Sequence, residues 1–157
     1  MGDSNVRGQE ALPYLNTESQ EFDAKLSPSG QFLAYDSDES KRFEVYVQTF
    51  PEHGGKWQVS TGGGEYPVWS RDGRELYFIS ADRKLMAVTV NGNGKKFEAG
   101  VPKTLFEVGA IDQFDVSKDG RFLIKVPQDG AASKVPLTVV HRFLGIPPAK
   151  SASRHVA

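Results

Sequence analysis

Trp69-Ser70-Arg71-Asp72-Gly73-Arg74-Glu75-Leu76 is a phrase that this chain uses three times. It stands upstream as Leu26-Ser27-Pro28-Ser29-Gly30-Gln31-Phe32-Leu33 and downstream as Val116-Ser117-Lys118-Asp119-Gly120-Arg121-Phe122-Leu123. Each copy has an apolar residue, Ser, two turn residues, Gly, two variable positions and Leu. A short apolar stretch precedes each glycine, at Phe22 to Leu26, Tyr66 to Trp69 and Phe114 to Val116. A second follows, at Phe32 to Tyr35, Leu76 to Ile79 and Phe122 to Val126. Glycine permits a positive φ, and Ser or Asp hydrogen-bonds to nearby backbone. Each phrase therefore reads as a β-hairpin.

The glycines at 30, 73 and 120 set a repeat of about 45 residues made of short strands, the spacing of β-propeller blades. Within each repeat the hairpin supplies the innermost strand and the next one out. Glu44 to Phe50 and Lys56 to Ser60 are the outer strands of the first repeat, with Pro51 and Gly54-Gly55 between them. Leu85 to Val90 is the third strand of the second repeat. Asn91-Gly92-Asn93-Gly94 reads as the turn after it, with a fourth strand inside Phe97 to Phe106. Leu137 to His141 is a third strand in the last repeat, and no fourth follows. Residues 11–17, Ala11 to Thr17, look like a lone fourth strand before the first repeat. The expected fold is all-β, with blades of four antiparallel strands and about three blades per chain, a half-propeller. Its layout is a flexible start at 1–9, a propeller portion at 10–144 with blades near 18–61, 62–107 and 110–141, and a tail at 145–157.

The chain resembles the TolB-like, WD-type family of propeller repeats. In particular it resembles the C-terminal propeller part of large bacterial proteins, some of which carry a serine/threonine kinase domain. The resemblance rests on Leu26-Ser27-Pro28-Ser29-Gly30, Glu44-Val45-Tyr46-Val47 and Gly55-Lys56-Trp57-Gln58-Val59-Ser60. It continues through Lys84-Leu85-Met86-Ala87-Val88, Phe97-Glu98-Ala99-Gly100-Val101-Pro102, Phe114-Asp115-Val116-Ser117 and Pro136-Leu137-Thr138-Val139-Val140. Ser29 stands where the family usually has Asp, and the residues after Val140 depart from its usual Asn-Trp ending. The resemblance implies a bacterial propeller used as a non-catalytic binding or scaffold module, recognising a protein or ligand at the channel mouth and top loops. Function does not follow from such a fold, which hosts many activities.

Composition excludes several classes. The 157 residues are 38% hydrophobic, with 16 Gly and 9 Pro to serve many turns. A formal net charge of −1 gives no electrostatic case for nucleic acid or an anionic membrane. No run of 18 apolar residues and no signal-like segment occurs in the chain as given, so membrane insertion is not expected. The expectation is a soluble protein, cytoplasmic or periplasmic. The absence of Cys removes disulfide and thiolate chemistry without fixing the compartment.

Catalytic patterns are sparse. His53, His141 and His155 lack metal-ligand spacing, so no metal and no cofactor is expected. Ser27, Ser70 and Ser117 are explained by the turns, and no Gly-x-Ser-x-Gly elbow occurs. Gly62-Gly63-Gly64 lacks the Lys-Ser/Thr of a phosphate loop and reads as a link between blades. Trp57 and Trp69 read as packing between blades.

Glu21, Glu65 and Asp112 lie eight or nine positions before the repeated glycines. They would enter the innermost strands near the channel mouth and could attract a cation or a basic partner. The plainer reading is three solvated loop charges. A hydrolase or lyase using channel carboxylates is the alternative function.

Propellers typically close with about four to eight blades. Three blades leave open sheet edges and apolar faces. Two chains would make a six-bladed ring, with residues 11–17 of each completing the third blade of the other. A homodimer is expected on that ground, and a piece cut from a longer propeller is the competing explanation.

Overall fold

The computed structural model describes residues 13–127 and 137–140. Their regular structure is entirely β, in antiparallel sheets that follow one another in chain order. The first sheet is an up-and-down meander of β1 (Glu21–Leu26), β2 (Phe32–Ser37), β3 (Glu44–Thr49) and β4 (Lys56–Gln58). The second contains β5 (Gly64–Trp69), β6 (Glu75–Ser80), β7 (Lys84–Asn93), β8 (Lys96–Ala99) and β9 (Lys103–Glu107). The third contains β10 (Gln113–Val116), β11 (Phe122–Lys125) and β12 (Leu137–Val140). Meanders stacked face to face in sequence order are blades of a partial β-propeller.

The repeated phrase builds a hairpin each time, one residue tighter in the third copy, where Val116 pairs with Phe122, than in the first two, where Leu26 pairs with Leu33 and Trp69 with Leu76. Gly30, Gly73 and Gly120 have φ of 71°, 70° and 79°. Their N–H groups donate to the carbonyls of Ser27, Ser70 and Ser117 at 2.9, 2.9 and 3.0 Å. Each serine Oγ then accepts an N–H at the entry to the next strand: Phe32 at 3.1 Å, Glu75 at 2.9 Å and Arg121, one residue before β11, at 3.0 Å. Asp72 and Asp119 accept from the serine hydroxyls of their own turns, and that bond holds both carboxyls below the usual aspartate range. Ser29 takes the aspartate's place in the first turn, with its Oγ 3.1 Å from Ser27 Oγ.

Pairing assigns the faces. Phe32, Ala34 and Asp36 on β2 share a face with Thr49, Val47 and Val45 on β3. Phe32, Ala34, Val45 and Val47 pack against Trp69, Leu76, Phe78, Val88, Val90 and Phe97 of the second blade. Leu33, Tyr35 and Tyr46 lie on the opposite face, where Tyr14, Leu15 and Phe50 cover them. Both faces of β2 and β3 are therefore buried, and Phe32-Leu33-Ala34-Tyr35 reads as an unbroken apolar run rather than an alternation. Tyr77, Ile79 and Leu85 of the second blade pack against Phe114, Phe122 and Ile124 of the third. The other face of β10 and β11 carries Gln113, Asp115, Leu123 and Lys125, all exposed.

The second blade departs from the expected layout. β7 does not stop at Val90 but runs through Asn91, Gly92 and Asn93, and the turn falls at Gly94-Lys95. Two strands then share β7 as a partner: β8 pairs with residues 90–93 and β9 with residues 84–87. Gly92 is a packing glycine. A Cβ there would lie 2.4 Å from Phe32 Cε2, so the strand can cross the Phe32 ring only without a side chain. β8 sends Phe97 into the inter-blade core, 5.3 Å from the rings of both Phe32 and Trp57.

Pro13–Thr17, the described part of segment 11–17, forms no strand within the chain. Tyr14 instead donates its hydroxyl to the Thr49 carbonyl and stacks on His53 at 4.5 Å between ring centroids. His141, His155, residues 1–9 and the tail at 145–157 lie outside the described residues.

Candidate functional site: a cleft between the first two blades

β1 and β5 are neighbouring innermost strands, and each carries a β-bulge at the same place in the repeat. The register shifts between Phe22 and Lys25 in β1 and between Glu65 and Val68 in β5. Asp23 and Tyr66 hold equivalent bulge positions at φ of 48° and 58°. A non-glycine residue in the left-handed region is uncommon, and a bulge re-aims the side chains beside it. Trp69 ties the two strands together by donating Nε1–H to the Lys25 carbonyl at 3.0 Å.

The bulges open a cleft of about 320 Å³ lined by Phe22, Asp23, Asp36, Phe43, Glu65 and Tyr66. Its floor is Asp36, 3% exposed, on the β2 face turned toward the second blade. Among the described residues, no hydrogen-bond partner reaches Asp36 Oδ1. Burial raises the Asp36 carboxyl to about 7, with the negative charges of Asp23 and Glu65 adding to the effect. Burial and then Glu65, Asp23 and Asp36 also raise the Tyr66 hydroxyl. No described Lys or Arg forms an ion pair with Asp23, Asp36 or Glu65. The cleft thus holds three acids and three aromatic rings, with Phe22 and Phe43 5.7 Å apart between centroids. No group of acids and histidines with the geometry to hold a metal ion occurs among the described residues.

The three acids singled out by the repeat go to different places. Glu65 enters the cleft. Glu21 begins β1 but pairs with Ser37, on the blade face away from the cleft, and accepts from the Thr17 hydroxyl. Asp112 precedes β10 and is bridged to Lys125 at 3.4 Å. Glu21 is one residue out of step with the other two, and a shift of one reverses the face in a strand. Phe22 stands at the position equivalent to Glu65. Asp23 and Asp36 are the partners the sequence reading missed. Asp36 had a signal: it follows Phe32 and Ala34 at period two, an acid on the inward side of a buried strand.

Two other features follow from the fold. Glu44, fully buried, accepts from Arg42 Nε at 2.8 Å, from Gly63 N–H at 3.0 Å and from the Ser60 hydroxyl. It clasps the Gly62-Gly63-Gly64 link between blades, which makes that glycine run a connection. A second hollow, of about 510 Å³, crosses β1, β5 and β10 nearer the repeated turns, with Leu26, Trp69, Arg71 and Phe114 among its walls. Trp69 is buried in the inter-blade core and Trp57 packs against it, in keeping with their reading as packing residues.

No protein-family model matches the chain, and no curated protein does. Among solved structures it is similar to TolB from Acinetobacter baumannii, at 16% identity and a TM-score of 0.38. The match covers 85% of this chain and 44% of that one, so the chain spans less than half that protein's length. The stacked meanders themselves define the class: a set of successive propeller blades. No helix among the described residues is long and apolar enough to cross a membrane.

Proposed function

We propose that this chain is a non-catalytic binding module of the TolB-like propeller type, recognising a ligand or protein along its inner strands. The observation that carries this reading is the run of hollows where β1, β5 and β10 come together, lined by exposed or half-buried apolar groups beside charged ones. Leu26 and Phe22 on β1, the innermost strand and one edge of its sheet, are 50% and 52% exposed and put large apolar groups at these hollows.

Ring closure by two chains belongs to the same proposal. Residues 11–17 would complete the partner's third blade, and Tyr14 and Leu15 would leave the Leu33, Tyr35 and Tyr46 face of their own first blade. That exchange would free the first blade's outer face to receive a neighbouring blade. The polar face of β10 and β11 is the less favourable half of such a junction. Light scattering on a sizing column across a dilution series tests it. A mass of two chains that persists on dilution supports the ring, and a monomer at all concentrations overturns it.

A second reading, a hydrolase or lyase working through channel carboxylates, draws on one observation. Asp36, raised to about 7 by burial and lying beside the acids Asp23 and Glu65, is the kind of carboxyl that can serve as a proton donor. Turnover of an aryl glycoside that disappears in Asp36→Asn would establish it in place of the binding reading.

A further inference from the structure

We infer that the cleft of Asp23, Asp36 and Glu65 is a receptor for an alkylammonium group, carried on a lysine side chain or on a free amine. The inference rests on the binding-module reading and names the ligand chemistry. An ammonium has three N–H donors and no acceptor. The cleft offers three carboxylates, one of them buried with an unpartnered oxygen, and no described cation pairs with them. A buried carboxylate oxygen without a donor is a standing cost that a bound donor would relieve. The aromatic lining supports the same ligand. Phe22, Phe43 and Tyr66 give the cleft π faces that attract a cation and apolar surface for its methylene chain. The cleft is an open groove between two strands, so a chain that enters end-on can trail into solvent or into a polypeptide.

The groups facing Asp36 are Asp23 on β1 and Glu65 and Tyr66 on β5, with Arg83 acting on Tyr66 from the β6–β7 turn. Lys41 and Arg42 lie beyond Phe43, along the neighbouring groove that also reaches Glu65. Binding an ammonium requires the ionised form of Asp36. With its carboxyl at about 7, affinity should fall as the pH drops through that value. The ionised fraction changes about thirtyfold between pH 8 and pH 5.5, which sets the expected loss.

The test is a calorimetric titration of the whole chain with pentylammonium, with a five-residue peptide holding one central lysine, and with pentan-1-ol as the neutral control. The expected result is that both ammonium probes bind, pentan-1-ol does not, and affinity falls at least tenfold from pH 8 to pH 5.5. Asp36→Asn should weaken binding at pH 8 at least tenfold and flatten the pH profile. Glu65→Gln should weaken binding while keeping a fall with acidification, its midpoint moved down because the Glu65 charge no longer raises Asp36. A peptide that binds tenfold tighter than pentylammonium assigns the cleft to a lysine of a protein partner, and the reverse order assigns it to a free amine. Equal binding by wild type and Asp36→Asn, or equal uptake of pentan-1-ol, overturns the inference while leaving the module reading intact. Asp36-dependent turnover of an aryl glycoside would instead overturn the module reading itself. Circular dichroism of each variant separates lost binding from lost folding.

Discussion

Replacing Asp36 with Asn should stabilise the protein, and the gain should grow with pH. The carboxyl is buried, lacks a described donor at Oδ1 and stands at about 7 against an ordinary 3.8. The folded state therefore holds a proton that the unfolded state has released between those values. Stability contributed by this group falls as pH rises from 3.8, and the loss levels off above 7. At about 1.4 kcal/mol per pH unit, Asp36 costs about 4 kcal/mol at pH 8, where it is ionised, and about 2 kcal/mol at pH 5, where folding must take up a proton. Asparagine has the same shape and does not titrate. Its advantage over Asp36 should then be about 2–3 kcal/mol larger at pH 8 than at pH 5. Any constant effect of the amide cancels in that difference. The assay is urea unfolding of both proteins at the two pH values, at one fixed protomer concentration because association would shift the midpoints. An advantage that stays within about 0.5 kcal/mol across the range would refute the burial argument. An advantage that shrinks with pH would mean that Asp36 has a cationic partner in solution.

Further outcomes follow from the repeat and the inter-blade cores. Gly30→Ala should cost about 1 kcal/mol in urea unfolding, because a Cβ there meets open space and only the left-handed φ of 71° is penalised. Gly30→Asn should lose less than that, since Asn tolerates the conformation better. Phe122→Ala should cost about 3–5 kcal/mol, since Phe122 is fully buried among the Tyr77, Phe106 and Phe114 rings. Hydrogen exchange should then show β10 and β11 losing protection before the first blade does. Gly92→Val should be as damaging as a core mutation, because its side chain would overlap Phe32, and near-ultraviolet circular dichroism should register the disturbed ring. Neutralising Glu21, Glu65 and Asp112 together should weaken ammonium binding no more than Glu65→Gln alone, because only Glu65 lines the cleft. A larger loss in the triple variant would restore convergence of all three, as in a closed ring.

The phrase around Gly30, Gly73 and Gly120 determined the hairpins, because its hydrogen bonds are local: each serine bonds to the backbone within five residues of itself. The apolar stretches on either side of each glycine marked the hairpin strands, and Trp57 and Trp69 marked packing between blades. Sequence also placed Glu65 near the start of an inner strand. What it could not supply was the partners of Glu65. Asp23 reaches the cleft through a bulge, which breaks the period-two reading of β1. Asp36 comes from a different strand of a different blade. The same limit explains Gly92. A turn glycine and a packing glycine look alike in sequence, and only Phe32, sixty residues away and in another blade, tells them apart. Local hydrogen bonding is written in neighbouring residues and can be read there. The depth of a carboxyl, and so its charge, depends on which chain segments come to cover it, and that is decided only when the blades pack.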